Sequence, residues 1–307
     1  MTDAISQVPV DVKPRRQTLE RRLGLEHSMF WSTAFHTLRA PGGWLGLLII
    51  MIMVFLSIAA PLISPYDPLE IHKSDQFMPP QRQYLAGTDE FGRDLLSRTI
   101  WAGRISLLAG AFAVTFAMAI GVPLGLVAGY FGRAADAVLM RLMDTLLAFP
   151  GILLAMAIVA VIGPGSLNAM IAVAIVSIPT FARVARSSML TQKNMDYVMA
   201  ARSIGAGDAH IIFRGILPNA IPVVLVQVSV SVAFAVLVEA ALSFLGLGTR
   251  PPDPSWGNLL QVSRKFLHQA WWYGVFPGAF LTTLIIGLNL FSEALRDALD
   301  PTRRNLF

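Results

Sequence analysis

The chain has 307 residues, 55% hydrophobic and only 14% charged, with a formal net charge of +5 and a mean hydropathy of +0.61. The apolar residues come in long blocks instead of alternating with polar ones, which excludes an ordinary soluble core and points to bilayer-spanning helices. The basic residues are spread between those blocks without an aromatic-interleaved patch, which argues against nucleic acid as a partner. The absence of cysteine excludes disulfides, Cys-ligated zinc and thiol catalysis.

Residues 1–43 read as a cytoplasmic tail, polar and unperiodic, with six Lys/Arg against four acids. Phe30, Trp31, Phe35 and Leu38 suit a short amphipathic helix on the membrane surface. The first span is predicted from Trp44 to about Ile63, twenty residues without a charge, closed by Ser64-Pro65. At about 1.5 Å per residue, that length matches a hydrocarbon core of roughly 30 Å. This span and a Pro- and charge-rich external loop, 65–103, expected to be solvent-exposed, make one unit, 44–103. The loop carries Gly87-Thr88-Asp89-Glu90-Phe91-Gly92-Arg93-Asp94, a Gly-bounded turn leading into a helix with an acidic first turn.

Five further spans are predicted at about 104–130, 138–163, 168–185, 221–247 and 274–295, making six in an all-α polytopic membrane protein. Pro150 and Pro179 interrupt two of them. Such prolines often sit where helices bend around a cavity, and otherwise mark packing kinks. Ser255 to Trp272 is predicted to lie in the interface as an amphipathic helix, with Trp256, Leu259, Leu260, Phe266, Leu267 and Trp271 on one face. An even span number puts both termini on one side, and the positions of the Lys and Arg residues lean that side to the cytoplasm.

Between the fourth and fifth spans lies a polar, Gly-punctuated island, 186–220. Asn194 is placed to cap a short helix beginning near Met195, which Gly205 and Gly207 end. Asp208 is placed to cap a second helix that stops before Pro218. Tyr197, Ala201 and Ile204 share one helical face, and Ala200 and Ala201 leave room for a partner backbone to approach, as insertion into a groove requires. Within the spans, Asp144 lies near an end and Glu239 well inside. Glu239 is a residue of the substrate pathway or gate, or of a packing hydrogen bond. No G-x-x-x-x-G-K-[ST], H-E-x-x-H or G-x-S-x-G run is present, and the five histidines are scattered, so an enzyme reading has no constellation to stand on.

The run Ala200-Ala201, three residues, Gly205, ten residues, Ile216-Leu217-Pro218 resembles the cytoplasmic "EAA" loop of ABC-importer permeases, with Met199 where the family usually has Glu. Gly215 stands where many relatives carry another residue. The run Gly87 to Arg98 is similar to the GTD-x-x-GRD-x-x-SR signature of C-type subunits of dipeptide and oligopeptide permeases. Leu245-Gly246-Leu247-Gly248, Pro251-Pro252, Pro254-Ser255-Trp256-Gly257 and Leu295 to Pro301 match the same permeases, so the resemblance covers roughly residues 40–301.

The resemblance implies a type-I ABC-importer transmembrane domain over 104–300, a coupling loop at 186–220 and a C-terminal tail at 301–307. It implies a B-type second permease subunit, two cytoplasmic ATPase subunits carrying ATP and magnesium, and an extracytoplasmic substrate-binding protein. No cofactor or metal is expected on this chain itself. The setting implied is the bacterial inner membrane, and the cargo a peptide or a related small solute. Carried over by motif, the ATPase contact falls to Met199, Ala200, Ala201, Arg202, Gly205, Asp208, Leu217 and Pro218, and the external-loop motif to Gly87, Asp89, Gly92, Arg93 and Asp94. Glu239, Pro150 and Pro179 are the pathway or gate residues expected. The alternative is a stand-alone ion- or proton-coupled carrier. It would need several embedded ionisable residues and commonly an inverted repeat, whereas one deeply placed acid and no obvious repeat are found.

Overall fold

The computed structural model describes residues 35–299. Residues 1–34 and 300–307, which take in most of the N-terminal tail predicted at 1–43, with Phe30 and Trp31, and all of the C-terminal tail predicted at 301–307, lie outside the described residues. Among the described residues there is no strand, and the only β-type contact is an isolated bridge between Thr88 and Asp94.

The helices are α1 (Pro41–Ile58), α2 (Ala60–Ile63), α3 (Leu95–Phe131), α4 (Arg133–Leu147), α5 (Gly151–Ile162), α6 (Ser166–Gln192), α7 (Asp196–Ser203), α8 (Asp208–Phe244), α9 (Trp256–Ser263) and α10 (Trp272–Leu299). α1, α3, α6, α8 and α10 are each long and apolar enough to cross a membrane. α1 begins with Pro41 in its first turn, where the missing N–H costs nothing. Its buried residues are Gly43, Gly46, Met53 and Ser57, leaving most of its apolar surface outward, as a lipid-facing helix requires.

α3 is the central strut. Its 37 residues extend about 55 Å, well beyond a hydrocarbon core of about 30 Å. It begins at Leu95, capped by Asp94, so the unit boundary expected at 103–104 falls inside this helix. α3 packs on α6 through Gly121, Gly125 and Gly129, and the fit leaves no room. A Cβ on Gly121 would lie 2.6 Å from the Ile178 carbonyl oxygen, and one on Gly125 would lie 2.1 Å from that of Ala182. Small residues four apart let two membrane helices meet backbone to backbone. Gly46 and Gly287 seat α1 on α10 in the same way.

The expected third span, 138–163, is not one helix. α4 and α5 meet at a 90° bend, where Pro150 takes an extended conformation and caps α5. Proline has no N–H to continue the helix and clashes with the preceding turn, so the chain turns there. The described residues thus hold five long apolar helices, and six spans if the bent pair is counted as one. Pro179 has a milder effect, since α6 runs through it unbroken.

Two core clusters result. One gathers α3, α5, α6, α7 and the inner part of α8 around Leu126, Val159, Phe181, Met189 and Ile216. The other gathers α1, α3, α8, α9 and α10 around Met53, Leu95, Trp256, Leu259 and Leu284. The amphipathic interfacial helix expected over Ser255–Trp272 is therefore only the eight residues of α9, and it packs inward. Trp256 is fully buried, and its indole N–H donates to the Thr99 carbonyl at 3.0 Å. Leu267 and Trp271, further on, do face outward. The capping box of Ser255 and Asn258 starts α9 by satisfying two otherwise unpaired backbone donors.

The two ends of the bundle are distinct. At one end, the loop 65–94 meets the start of α10: Trp272 donates to the Thr88 carbonyl and Tyr273 to Glu90. At the other, the last turn of α3 meets the polar island, where Lys193 Nζ donates to the Gly129 carbonyl at 3.0 Å. The described chain ends lie on the island's side: Gly42 and Gly43 pack near Leu290 and Ala294 of α10, and Leu299 shares a groove with Val184 of α6 and Val223 of α8.

Candidate functional site

The island folds as a hairpin of α7 and the start of α8. α7 ends as its composition demands. The Ala206 N–H reaches back to the Ala201 carbonyl at 3.0 Å, and Gly205 takes φ +82°, a left-handed conformation that glycine adopts without a Cβ penalty. Its start differs from expectation: Met195 is the cap position and makes no side-chain capping bond, so Asn194 does not cap α7. Gly207, not Asp208, occupies the next cap position. The second helix does not stop before Pro218 either, because α8 continues through it into the span. It does so by way of a π-helical stretch, Ile211–Ile216, in which the Leu217 N–H bonds to the Ile212 carbonyl, five residues back. Pro218 follows in the first turn of the regular helix, where its missing N–H is tolerated.

The hairpin displays Met199, Ala200, Arg202, Ile204 and Gly205, with Met199 52% and Ile204 85% exposed. Val198 is buried, and Ala201 and Ala206 pack beside it against the core. Ala201 thus belongs to the inward face with Val198, three residues earlier, and Ile204 to the outward one. The face expected from Tyr197, Ala201 and Ile204 is not the packing face, since only the fold shows which side of so short a helix meets the bundle. Leu217 and Pro218 sit about 15 Å along α8 from Asp208 at 1.5 Å per residue. Leu217 packs against the core and Pro218 is exposed.

Tyr130, at the end of α3, was not singled out by the sequence, yet it touches both limbs of the hairpin. Its hydroxyl donates to Asp208 Oδ1, and the Arg202 guanidinium lies over its ring, 5.3 Å from the centroid. No local pattern signals a contact between residues 78 apart. The glycines at 121, 125 and 129 did carry a visible four-residue spacing.

The motif from Gly87 to Arg98 is a buried knot, in contrast to the solvent-exposed loop expected. Asp89 is fully buried, Asp94 2% exposed, Arg98 3% and Arg93 7%. The Asp89 carboxylate accepts from the Phe91 and Arg93 backbone N–H groups at 2.8 and 2.9 Å and from Arg93 Nε at 2.6 Å. It also faces Arg98 Nε at 3.4 Å. Arg98 in turn donates to the Pro68 carbonyl at 2.8 Å. Asp94 caps α3 by accepting from both the N–H and the hydroxyl of Ser97. Burial raises the Asp94 carboxyl above its ordinary range, and the Ser97 hydrogen bonds oppose that rise. Gly87 and Gly92 have φ +76° and +75°, and a Cβ on Gly92 would lie 1.9 Å from the His72 carbonyl oxygen. Charges this deep persist only when paired and hydrogen-bonded, which is what the motif supplies.

Glu239 is 1% exposed. Its Oε1 accepts from the Ser243 hydroxyl at 2.7 Å, and that hydroxyl accepts from the Thr249 N–H at 3.0 Å. The chain of bonds ties α8 to the turn after it. Asp144 pairs with Arg183 at 2.6 Å, and Asp136 pairs with Arg186 through both carboxylate oxygens, fastening α4 to α6. Pro150 lies at the α4–α5 bend and Pro179 is buried within α6.

A bundle of this order, with a polar hairpin projecting between its last two long helices but one, is a type-I ABC-importer transmembrane domain. A chain of the MetNI methionine ABC transporter, solved in inward-facing conformations, overlaps it with a TM-score of 0.53 at 18% identity, covering 67% of this chain and 97% of that one. Residues 121–305 match the family described as the binding-protein-dependent transport system inner membrane component, and residues 30–80 match the N-terminal transmembrane domain of oligopeptide transport permease C. The chain belongs to this binding-protein-dependent permease family. It is 44% identical over 282 residues to the di/tripeptide transport system permease protein DppC of Pseudomonas aeruginosa, covering 90% of this chain and 92% of the relative. It is 42% identical over 255 residues to the glutathione transport system permease protein GsiD of Pectobacterium atrosepticum, covering 83% and 85%. The protein is thus a multi-pass permease subunit of an ABC importer whose ATP is hydrolysed on separate subunits, and the stand-alone carrier reading gives way.

Proposed function

We propose that this permease moves di- or tripeptides, or a closely related small solute, inward across the bacterial cytoplasmic membrane. It does so with a B-type second permease subunit, two cytoplasmic ATPase subunits and an extracytoplasmic binding protein. ATP and magnesium act on the ATPases, and this chain holds no cofactor of its own. Both termini and the hairpin 186–220 are cytoplasmic, and the knot around Asp89 faces out. The peptide-permease relatives named above support the cargo.

The observation that carries the docking role is the exposed tip of Met199, Ala200, Arg202 and Gly205, projecting from the bundle on a hairpin closed by a left-handed glycine. Met199 removes the carboxylate usual at that place, so contact rests on packing and on Arg202. Asp208, Leu217 and Pro218 hold the hairpin's base, and Ala201 seats the docking helix on the core instead of touching the partner. Glu239, Pro150 and Pro179 shape the helices that flank the pathway.

The test is copurification of the ATPase with the assembled permease, together with uptake of a labelled dipeptide. Gly205→Val introduces no clash, because a Cβ there meets nothing within 4 Å. It strains the turn by about 1–2 kcal/mol, and Ala200→Glu adds charged bulk to the tip. Each is expected to lower ATPase recovery about five- to thirtyfold, the effect of a loss of that size at a docking contact, while the subunit still inserts. Recovery and uptake at the unmodified level in both variants would remove the docking role. Sidedness is checked separately with a cysteine at the exposed Ser203 in this otherwise cysteine-free chain. Labelling from outside intact cells by an impermeant reagent would reverse the topology.

A further inference from the structure

We propose that Tyr130 is the positioning residue through which the docking hairpin moves the α3–α6 pair, while α8 pivots at its π-helical start. The inference rests on the docking role proposed above.

The hairpin joins α8 directly, but that joint is weak. Ile211–Ile216 is π-helical, and such segments mark places where a helix yields. Pro218 and Pro222 then lack the N–H groups that would close α-helical bonds to the Arg214 and Pro218 carbonyls. Gly215 lies within the π-helical stretch, its nearest neighbour for an added Cβ being the Tyr197 ring at 3.9 Å. The Asn219 amide also donates to the Gly215 carbonyl at 3.0 Å.

The ties to α3 are of another kind. Tyr130 contacts both limbs across the Gly205 turn, Arg202 through its ring and Asp208 through its hydroxyl. One residue away, Lys193 reaches the Gly129 carbonyl. Behind Tyr130, the glycine face of α3 lies against the α6 backbone with no space for even a methyl group. A close-packed contact of that kind passes displacement on without absorbing it. A push on the hairpin therefore reaches α3 and α6 through a stiff contact and α8 through a soft one.

The experiment uses the full complex with its ATPases, carrying spin labels at cysteines replacing Phe116 of α3 and Val223 of α8, both partly or well exposed. The label separation is measured without nucleotide and with ATP plus vanadate. The unmodified complex is expected to show a nucleotide-driven shift. Tyr130→Phe, which keeps the ring and loses the Asp208 bond, should reduce the shifted-to-unshifted ratio about fivefold, the scale of one net hydrogen bond. Asp208→Ala should do the same, and the two together should do no more than either alone. Asp208→Asn, which keeps an acceptor, should remain near the unmodified ratio. ATPase copurification should be unchanged in Tyr130→Phe.

An unmodified shift in both Tyr130→Phe and Asp208→Ala overturns the inference, as do additive losses in the double variant or no nucleotide-driven movement in the unmodified complex. Loss of ATPase copurification in Tyr130→Phe also overturns it, because Tyr130 would then act on docking itself. Failure of the docking role shows up separately, as unchanged ATPase recovery in Gly205→Val and Ala200→Glu.

Discussion

Asp89→Ala is expected to cost about 3–5 kcal/mol of stability, the usual result of removing one partner from a buried ion pair, and to leave little folded permease in the membrane. The fully buried carboxylate is the shared acceptor of two backbone N–H groups and the Arg93 side chain, with Arg98 at 3.4 Å. Without it, two guanidiniums remain buried, and the remaining carboxylate beside Arg93 is Glu90 at 3.5 Å. The loss would spread, because the same knot receives Tyr273 on Glu90 and Trp272 on the Thr88 carbonyl, and so anchors α10. Asp89→Asn keeps acceptor capacity while losing charge, and should be milder. Thermal unfolding in detergent, followed by the loss of the monodisperse peak, measures both. A midpoint for Asp89→Ala within about 2 °C of the unmodified chain, about 1 kcal/mol at this size, would show that the knot is not a stabilising element.

Gly125→Ala is expected to prevent α3 and α6 from seating. The added Cβ would sit 2.1 Å from the Ala182 carbonyl oxygen and 2.9 Å from the Ala185 Cβ. Those are a backbone atom and the first atom of a side chain, so no rotamer change relieves them. Overpacking of this kind costs about 1–3 kcal/mol and more when the backbone itself must move. Separation of the two helices would also loosen the hairpin, since Lys193 and Tyr130 tie it to this end of α3. Gly207→Ala is the matched control. Gly207 has φ −71° and an added Cβ meets nothing within 4 Å, so Ala introduces no clash, and its entropic gain of about 0.4–1 kcal/mol is offset by a comparable loss at the helix cap position, leaving it near neutral. The fraction of subunit recovered in the assembled complex should fall sharply for Gly125→Ala and hold for Gly207→Ala. Equal recovery of the two would mean that the α3–α6 contact is looser than its geometry.

Much of this architecture was already readable from the residues. A bilayer admits only long apolar helices, so the spans appear as charge-free blocks wherever the chain crosses. Gly205 had to end α7, because a left-handed turn disfavours any side chain with a Cβ. The spacing of Ala200, Ala201, Gly205 and Pro218 carried the family, and the comparisons bear that out. What these signals share is that each is local, set by residues within a few turns of one another.

The rest depended on which distant residues meet. Asp89, Arg93 and Arg98 read as a solvated loop because charge usually marks exposure, and only mutual pairing in the folded state lets them be buried. Trp256 looked like an interfacial anchor until the Thr99 carbonyl, 157 residues away, provided its hydrogen bond. The apolar block around Pro150 is long enough for one span, but whether such a proline kinks a helix or turns it by 90° depends on what packs on either side. Ala201 and Ile204 lie on a two-turn helix whose inward face is chosen by the core beneath Val198, and no periodicity in eight residues can make that choice. Tyr130 is one aromatic residue at the end of a long apolar helix, and its meeting with Asp208 is decided by the glycine-tight packing of α3 on α6, which sets where the hairpin stands.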